Sequence, residues 1–264
     1  MATLVFFHAH PDDEAIATGG TMARAARDGH TVVLVVATGG EHGEVPSDLA
    51  PGETLADRRR RETEDSCKVL GVAHLEWLGY RDSGMTGWEQ NGHDGAFIGV
   101  NLDEASSRLA EILKRHNASV LTVYDWHGNY GHPDHIMVHR VGHRAAEIAA
   151  VPHVYEATMN RDAMRRMQQM AREAGLIGPD DGFDPDGPAD DGNPMGLPEA
   201  ELTHRVDVAD FIELKRSAIQ CHKSQITDTG WFAQMPDDAF RTAFGAEWYR
   251  KVGDPGPVRD GWLL

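Results

Sequence analysis

The amino-acid sequence predicts an α/β fold with an open, mostly parallel β-sheet and helices on both faces. Strand-like and helix-like segments alternate through residues 1–160, with short connections between them. The run TVVLVVA at 31–37 is continuously apolar and β-branched, as expected for a strand buried on both faces. Such alternation is typical of βαβ units, which build parallel sheets covered by helices.

The individual elements follow from apolar spacing and from glycine stop signals. A helix at 15–28 ends before Gly29, and a helix at 55–70 ends before Gly71. Glycine is favoured just beyond helix C-termini, so both boundaries have a physical reason. The other predicted elements are strands at 4–7, 31–37, 74–78, 119–124 and 153–157 and helices at 103–116, 136–150 and 209–221.

The composition is that of a globular protein and argues against several classes. A formal net charge of -17 disfavours a nucleic-acid-binding face, which needs clustered basic residues. No stretch approaches the ~18 consecutive apolar residues of a membrane helix. Cys67 and Cys221 have no CxxC partner, which indicates buried, reduced thiols. The N-terminus has no basic leader region, and cleavage there would remove His10, so we expect a cytoplasmic protein.

We expect two regions, an α/β core at 1–160 and a C-terminal region at 161–264 packed on it. Within the second region, 178–201 has high aspartate and proline content and no Lys or Arg, which predicts a mobile, solvated loop. Its aspartates are Asp180, Asp181, Asp184, Asp186, Asp190 and Asp191. A calcium site is disfavoured there because the EF-hand spacing is missing. The aromatic residues that we expect to pack on the core or over the site are Trp231, Phe232, Phe240, Phe244, Trp248 and Tyr249.

Two tetrapeptides of the same form, HPDD at 10–13 and HPDH at 132–135, each follow a predicted strand and open a predicted helix. Open α/β sheets bind ligands beyond the carboxyl ends of their strands, so both tetrapeptides fall on one edge. A capped helix start explains a single motif of this kind, because Asp and Pro are favoured at helix N-termini. Two histidine-rich copies at strand ends favour a shared metal site instead.

The two tetrapeptides offer six candidate metal ligands. They are His10, Asp12, Asp13, His132, Asp134 and His135. Catalytic zinc uses three protein ligands and keeps one position open. The i, i+3 spacing allows His10 and Asp13 to share one ion. Either histidine of the second motif, His132 or His135, can complete the set, and iron or manganese fit such a set as well as zinc.

The remaining side chains of the motifs predict a hydrolase. Asp12 would lie beside the metal without binding it, where a general base belongs, and the metal would lower the pKa of water and polarise a carbonyl. The leftover histidine of the second motif could protonate the leaving amine, with Asp134 holding that imidazole cationic and in one tautomer. Tyr130 could donate a hydrogen bond to the tetrahedral oxyanion.

The stretches HAHPDDEAIATGG and HGNYGHPDH resemble the LmbE-like (PIG-L) superfamily of zinc-dependent de-N-acetylases, and most closely its actinobacterial mycothiol branch. That branch includes a deacetylase of N-acetylglucosaminyl-inositol and an amidase of mycothiol S-conjugates. ATGGEHGEV, RRRRE, GYRDSGM and HKSQ also have counterparts there. The resemblance covers 3–150 well and 205–250 loosely, and it implies a Rossmann-like fold.

The resemblance also implies one zinc ligand set among the alternatives. The ligands would be His10, Asp13 and His135, and the general base would be Asp12. The remaining histidine, His132, would then act as a general acid or as an electrostatic stabiliser.

Further roles follow from the same resemblance. Asp134 would orient the imidazole of His132, and Tyr130 would assist at the carbonyl oxygen or move with substrate. The family's Arg-x-x-Glu begins at Arg59, which would bind hydroxyl or phosphate oxygens of the substrate, and Asp82 would accept hydrogen bonds from sugar hydroxyls. From the residues alone, the arginine run is typical of a solvated helix face, and Asp82 lies in an ordinary turn sequence.

We therefore expect a zinc-dependent hydrolase that removes an N-acyl group, acetyl in the first instance, from a small amino sugar or glycoconjugate. An amidase for a larger amide, such as a mycothiol S-conjugate, stays open, as does a metal-dependent sugar-binding module without turnover. Asp12 argues against the module, since a binding site has little need for a free carboxylate beside the metal. A nucleotide-dependent enzyme is disfavoured because TGG at 18–20 lacks the G-x-G-x-x-G frame. Homo-oligomerisation stays open.

Overall fold

The computed structural model describes residues 1–175, 178, 184–225 and 234–264. The strands in these ranges are β1 Thr3–His8, β2 Thr31–Thr38, β3 His74–Tyr80, β4 Val120–Tyr124, β5 His153–Thr158, β6 His204–Asp207, β7 Ala246–Lys251 and β8 Arg259–Asp260. They form a sheet in the order β3-β2-β1-β4-β5-β7-β6-β8. The first five strands in this order are parallel to one another, whereas β7 runs antiparallel to β5 and β6. The predicted mostly parallel α/β class is confirmed.

Helices cover both faces of this sheet. In the described residues they are α1 Asp13–Arg27, α2 Leu55–Leu70, α3 Leu102–Arg115, the single turn α4 Gly128–Gly131, α5 Pro133–Ala149, α6 Arg161–Glu173, α7 Ile212–Cys221 and α8 Asp237–Phe244. Side chains of β1 alternate between two buried clusters, with Leu4 and Phe6 on the α1, α2 and α7 side and Val5 and Phe7 on the α3 and α5 side. None of the helices described here is long and apolar enough to cross a bilayer.

The helix boundaries have local causes that the sequence displays. The side chain of Thr54 accepts from the backbone N–H of Asp57, and the carboxylate of Asp57 accepts from the backbone N–H of Thr54. This reciprocal pair is a capping box, and it begins α2. Gly71 ends the same helix in the left-handed conformation with φ +74°. At the start of α5, the ring of His132 accepts from the backbone N–H of Asp134, and Pro133 occupies the first turn.

The winding order creates a switch point at one edge of the sheet. The chain builds β1, β2 and β3 outward in one direction and then returns to place β4 on the other side of β1. The loops that follow β1 and β4 therefore go to opposite faces of the sheet. They leave a crevice between the carboxyl ends of these two strands. The tetrapeptide at 10–13 follows β1 closely, as the sequence predicts, whereas the short helix α4 lies between β4 and the tetrapeptide at 132–135.

The C-terminal region contributes strands to the same sheet. β7 joins β5 to β6, so hydrogen bonding continues across residue 160. Phe240 of α8 and Tyr249 of β7 are fully buried in the α1-side cluster. The predicted aromatic residues Trp231 and Phe232 lie outside the described residues, as do Asp180 and Asp181 of the acidic segment.

The described part of the acidic segment contacts the loop that follows β4. The backbone N–H of Asp190 donates to the carbonyl of Tyr130 over 2.9 Å, and that of Gly196 donates to the carbonyl of Asn129 over 2.6 Å. The carboxylate of Asp190 also accepts from the backbone of Thr86 over 2.9 Å. These contacts bring the segment to the rim of the crevice, while its predicted mobility stays a prediction.

A buried ion pair ties α1 and α7 to β7. The ammonium of Lys215 donates to Oε1 of Glu247, and both residues are almost fully buried. The two carboxylate oxygens of Glu247 also accept from the backbone N–H groups of Gly20 and Thr21 at 2.8 and 2.9 Å. The carboxylate is thus fully hydrogen-bonded, which a buried charge requires.

We expect Lys215→Met to lower the free energy of unfolding by about 3–5 kcal/mol, because it leaves the Glu247 carboxylate buried without its cation. Urea unfolding followed by circular dichroism measures this loss as a shift in the midpoint. Lys68→Met is the matched control, since Lys68 is exposed and pairs with Asp65 at the surface, where such pairs contribute at most about 1 kcal/mol. Equal losses in the two variants would contradict the assignment.

Candidate active site

Three imidazoles meet in the crevice between the ends of β1 and β4. The ring centroids of His10 and His132 are 4.6 Å apart, and that of His135 lies 5.3 Å from each of them. One nitrogen from each ring lies within 4.8 Å of the other two. All three residues are at least nine-tenths buried. The fold therefore brings the two tetrapeptides to one place.

Asp13 lies between His10 and His135. Its Oδ2 is 3.5 Å from Nδ1 of His10 and 3.4 Å from Nε2 of His135, and it accepts from the backbone N–H of His10 over 2.8 Å. Burial alone would raise the pKa of Asp13, but the imidazoles of His135 and His10 hold it well below its usual value. An ionised oxygen thus faces two ring nitrogens.

These distances fit a divalent cation. Ligands bound at about 2.0–2.2 Å in a tetrahedron are separated by about 3.4 Å, close to the two separations around Oδ2 of Asp13. The other ring nitrogen of His10, Nε2, donates to Asp134 over 3.1 Å and lies 3.6 Å from Asp82. Metal-binding histidines commonly donate their second N–H to a carboxylate in this way. His10, Asp13 and His135 therefore suit a metal, and their role as ligands stays a prediction.

The carboxylate of Asp12 is paired with a buried guanidinium. Its Oδ2 accepts from Nη2 of Arg59 over 3.0 Å. Arg59 also donates to the carbonyls of Pro11 and Gly40 at 2.6 and 2.9 Å. Burial raises the pKa of Asp12 to about 6, against the opposing effect of Arg59. The arginine run is therefore not entirely a solvated helix face, because Arg59 is buried and donates to the loops after β1 and β2.

The backbone of Asp12 is left-handed, with φ +86°, a conformation that costs of order 1–3 kcal/mol in a non-glycine residue. Its N–H donates to Oε2 of Glu14 over 3.0 Å. The other oxygen of Glu14 accepts from Ser66 over 2.6 Å and from Nε2 of His222 over 2.7 Å. This buried network of Glu14, Ser66 and His222 holds the strained residue in place.

His132 is fixed by backbone rather than by a carboxylate. Its Nδ1 accepts from the N–H of Asp134 over 3.1 Å, while the carboxylate of Asp134 accepts from His10 and from the backbone and hydroxyl of Ser83. This differs from the sequence expectation that the Asp134 side chain orients His132. The carboxylate of Asp134 instead contacts His10, in the loop after β1, and Ser83, in the turn after β3.

The charge expected for His132 differs as well. Burial and the neighbouring imidazoles of His10 and His135 lower the pKa of His132, which favours the neutral ring. Since Nδ1 accepts a hydrogen bond, the proton of that neutral ring is on Nε2. Burial thus favours a neutral ring for His132, whereas the sequence predicts a cationic one.

Tyr130 and Asp82 lie at the same cluster. The hydroxyl of Tyr130 is 3.4 Å from Nε2 of His135. Asp82 accepts from the backbone of Gly84 and His42 at 2.8 and 3.1 Å, and it is almost fully buried. Burial would raise the pKa of Asp82, but the neighbouring His10 lowers it. Substrate contacts of Asp82 and Arg59 stay predictions, since both side chains are engaged with the protein.

The loop after β4 contains residues that sequence reasoning missed. Asp125 is fully buried and accepts from the backbone of His127 and Asn129 and from the Thr158 hydroxyl. Gly128 packs on the start of α5, since a Cβ there would lie 2.3 Å from Cβ of His135. The signal for Gly128 was the HGNYG stretch itself, in which a glycine with positive φ permits this close approach.

Ligand-type side chains gathered at the carboxyl edge of a parallel sheet are typical of metal-dependent α/β hydrolases. The family profile of PIG-L, described as GlcNAc-PI de-N-acetylase, matches residues 5–146. The chain therefore belongs to the PIG-L family of de-N-acetylases, and it is an enzyme that hydrolyses an amide.

Relatives match the chain over nearly its whole length. A protein of Nocardioides sp., named 1D-myo-inositol 2-acetamido-2-deoxy-alpha-D-glucopyranoside deacetylase, is 37% identical over 98% of this chain and 95% of its own. A protein of Streptomyces griseus with the same name is 38% identical over 96% of this chain and 84% of its own.

Solved structures share the fold. N,N'-diacetylchitobiose deacetylase from Pyrococcus horikoshii is 25% identical, with a TM-score of 0.57 over 95% of this chain and 83% of that one. The A40926 pseudoaglycone deacetylase has a TM-score of 0.61 at 17% identity, over 94% of this chain and 96% of that one. At that identity, the second likeness concerns the fold alone.

Proposed function

We propose that the protein is a zinc-dependent deacetylase of a 2-acetamido sugar joined to inositol. The main support for this proposal is the position of Asp13 between the rings of His10 and His135. Its Oδ2 and the two facing ring nitrogens are one oxygen and two nitrogens at separations that suit zinc. The names of relatives that match almost the whole chain support the sugar and the acetyl group. A zinc ion held there would act as a Lewis acid toward the amide carbonyl and lower the pKa of water.

Asp12 is the general base in this proposal. A carboxylate is needed that reaches the attacking water but is not itself used up as a ligand. The oxygen Oδ2 of Asp12 is held by Arg59, and this contact directs the carboxylate. Asp12 then takes the proton of the water as it attacks, and later returns it to the departing amine.

His132 stabilises the developing oxyanion. Its Nδ1 accepts from the backbone of Asp134, so Nε2 carries a proton that it can donate toward the carbonyl oxygen of the amide. The burial of this donor matters, because hydrogen bonds to a developing charge are stronger where water is excluded. Tyr130, whose hydroxyl lies near His135, assists from the loop after β4.

Arg59 positions Asp12 rather than binding the sugar in this mechanism. We expect Arg59→Lys to lower kcat by about 10- to 100-fold with little change in KM, because a shorter point charge cannot hold Asp12 and both carbonyls at once. Steady-state kinetics measures both constants. Arg60→Lys, at the exposed neighbour on α2, is the matched control. A raised KM with unchanged kcat would support substrate binding by Arg59 instead.

The substrate class is tested by amine release from three compounds. We expect turnover of N-acetylglucosaminyl-inositol to exceed that of free N-acetylglucosamine, and both to exceed that of a bulky thiol conjugate of the same sugar. Preference for the bulky conjugate would replace the proposal with the amidase alternative. Zinc binding without amine release from any of the three would indicate the sugar-binding module.

A further inference from the structure

A second group of ligand-type side chains lies between α5 and β5. His139 and His143 are one helical turn apart on α5, and their ring centroids are 4.3 Å apart. From the sequence alone, both histidines are expected at the surface or at the rim of the site. In the structure both rings face the carboxylate of Glu156 on β5.

The three side chains converge on one oxygen. Nε2 of His143 is 2.9 Å from Oε1 of Glu156, and Nδ1 of His139 is 3.6 Å from the same oxygen. One ligand atom from each residue lies within 4.8 Å of the others. Residues four apart on a helix share a face, and a carboxylate from a neighbouring strand completes a three-sided set.

The carboxylate of Glu156 is buried and held in a fixed orientation, which favours binding of a cation. It is almost fully buried, and its second oxygen, Oε2, accepts from Nε of Arg250 on β7. Burial alone would raise the pKa of Glu156, but the contacts with His143 and Arg250 lower it. The carboxylate is therefore ionised and held in one orientation, with Oε1 turned toward the two rings, as the hydrogen-bonded carboxylates of metal sites are.

The two histidines give access from solvent. Their side chains are 20% and 28% exposed, against 1% for Glu156. His139 also contacts the carbonyl of Tyr124 through Nδ1 at 3.1 Å. A carbonyl oxygen only accepts, so Nδ1 of His139 carries the proton, and the lone pair that would bind a metal is on Nε2 of the same ring. An ion can thus enter without opening the core.

We propose that His139, His143 and Glu156 bind a second divalent transition-metal ion, distinct from the one at His10, Asp13 and His135. Two imidazoles and one carboxylate form a donor set that suits zinc or its first-row neighbours, with water completing the coordination. The ion links the middle of α5 to β5. Because it binds the folded chain, it stabilises α5, the helix that begins after His132 and carries His135 in its first turn.

Calorimetric titration of the metal-free full-length protein with Zn²⁺ tests this site. We expect two equivalents in the parent, one in His143→Ala, one in His135→Ala, and none in the double variant. Added Zn²⁺ should also raise the Tm of His135→Ala but not that of the double variant. These readouts do not depend on activity.

The outcomes separate the second site from the catalytic one. One equivalent in the parent, or an unchanged count in His143→Ala, overturns the second site whatever the catalytic ligands are. Loss of an equivalent in His143→Ala together with two in His135→Ala retains the second site and contradicts the catalytic ligand set. His139→Gln keeps a hydrogen-bonding group toward Tyr124 and gives the same count if His143→Ala does not fold. His93→Ala, at an exposed position, controls for adventitious binding.

Discussion

Asp12→Asn is expected to retain its zinc and to lose activity by about 10²–10⁴-fold, the usual contribution of a general base. The carboxamide has the same size and can still accept from Arg59, but it cannot take a proton from water. Asparagine also tolerates the left-handed backbone of this position, so the loop should keep its shape. The measurement is kcat on an N-acetylglucosaminyl substrate together with zinc content.

Two controls accompany this variant. Asp48→Asn changes an exposed carboxylate and should leave kcat at the parental value. Equal urea midpoints for Asp12→Asn and the parent would exclude misfolding as the cause of the loss. Near-normal turnover in Asp12→Asn would show that another group is the general base and would contradict the proposed mechanism.

His135→Ala is expected to lose one equivalent of zinc and all measurable turnover. The ring supplies one of the two nitrogens beside Oδ2 of Asp13, and a two-ligand remnant holds zinc weakly because catalytic sites need three protein ligands. Metal analysis after gel filtration against a chelator counts the ions, and amine release measures the activity.

His132→Ala is the informative comparison for this loss. It removes a buried histidine from the same cluster, yet it should keep the zinc count, since this ring is assigned to the substrate carbonyl and not to the ion. If His132→Ala loses the ion and His135→Ala keeps it, the third ligand is the other histidine of the second motif.

Local patterns predict the parts of this structure that depend on neighbouring residues. The apolar runs of β1, β2 and β4 and the glycine after α2 determine elements whose bounds agree with the sequence within a few residues. The two HPD tetrapeptides reach one crevice because parallel strands place their carboxyl ends together. Fold class and the gathering of the ligand candidates were therefore predictable.

Other features depend on contacts between distant parts of the chain. Glu14 and His222 meet across most of the sequence, and periodicity contains no signal for such a pair. β6 and β7 are short and rich in charged residues, so their pairing depends on the edge that β5 offers and not on their own composition. The rotation of the Asp134 carboxylate toward His10 is likewise set by Ser83, which comes from the loop after β3.

The position of β7 between β5 and β6 has a consequence for biosynthesis. Because β7 emerges from the ribosome long after β5, the nascent polypeptide exposes a row of unpaired amides along β5 while the intervening residues are made. Such a row invites wrong pairing with other chains. Completion of the native fold, and with it the burial of Glu247 against α1, therefore has to await release of the last strands.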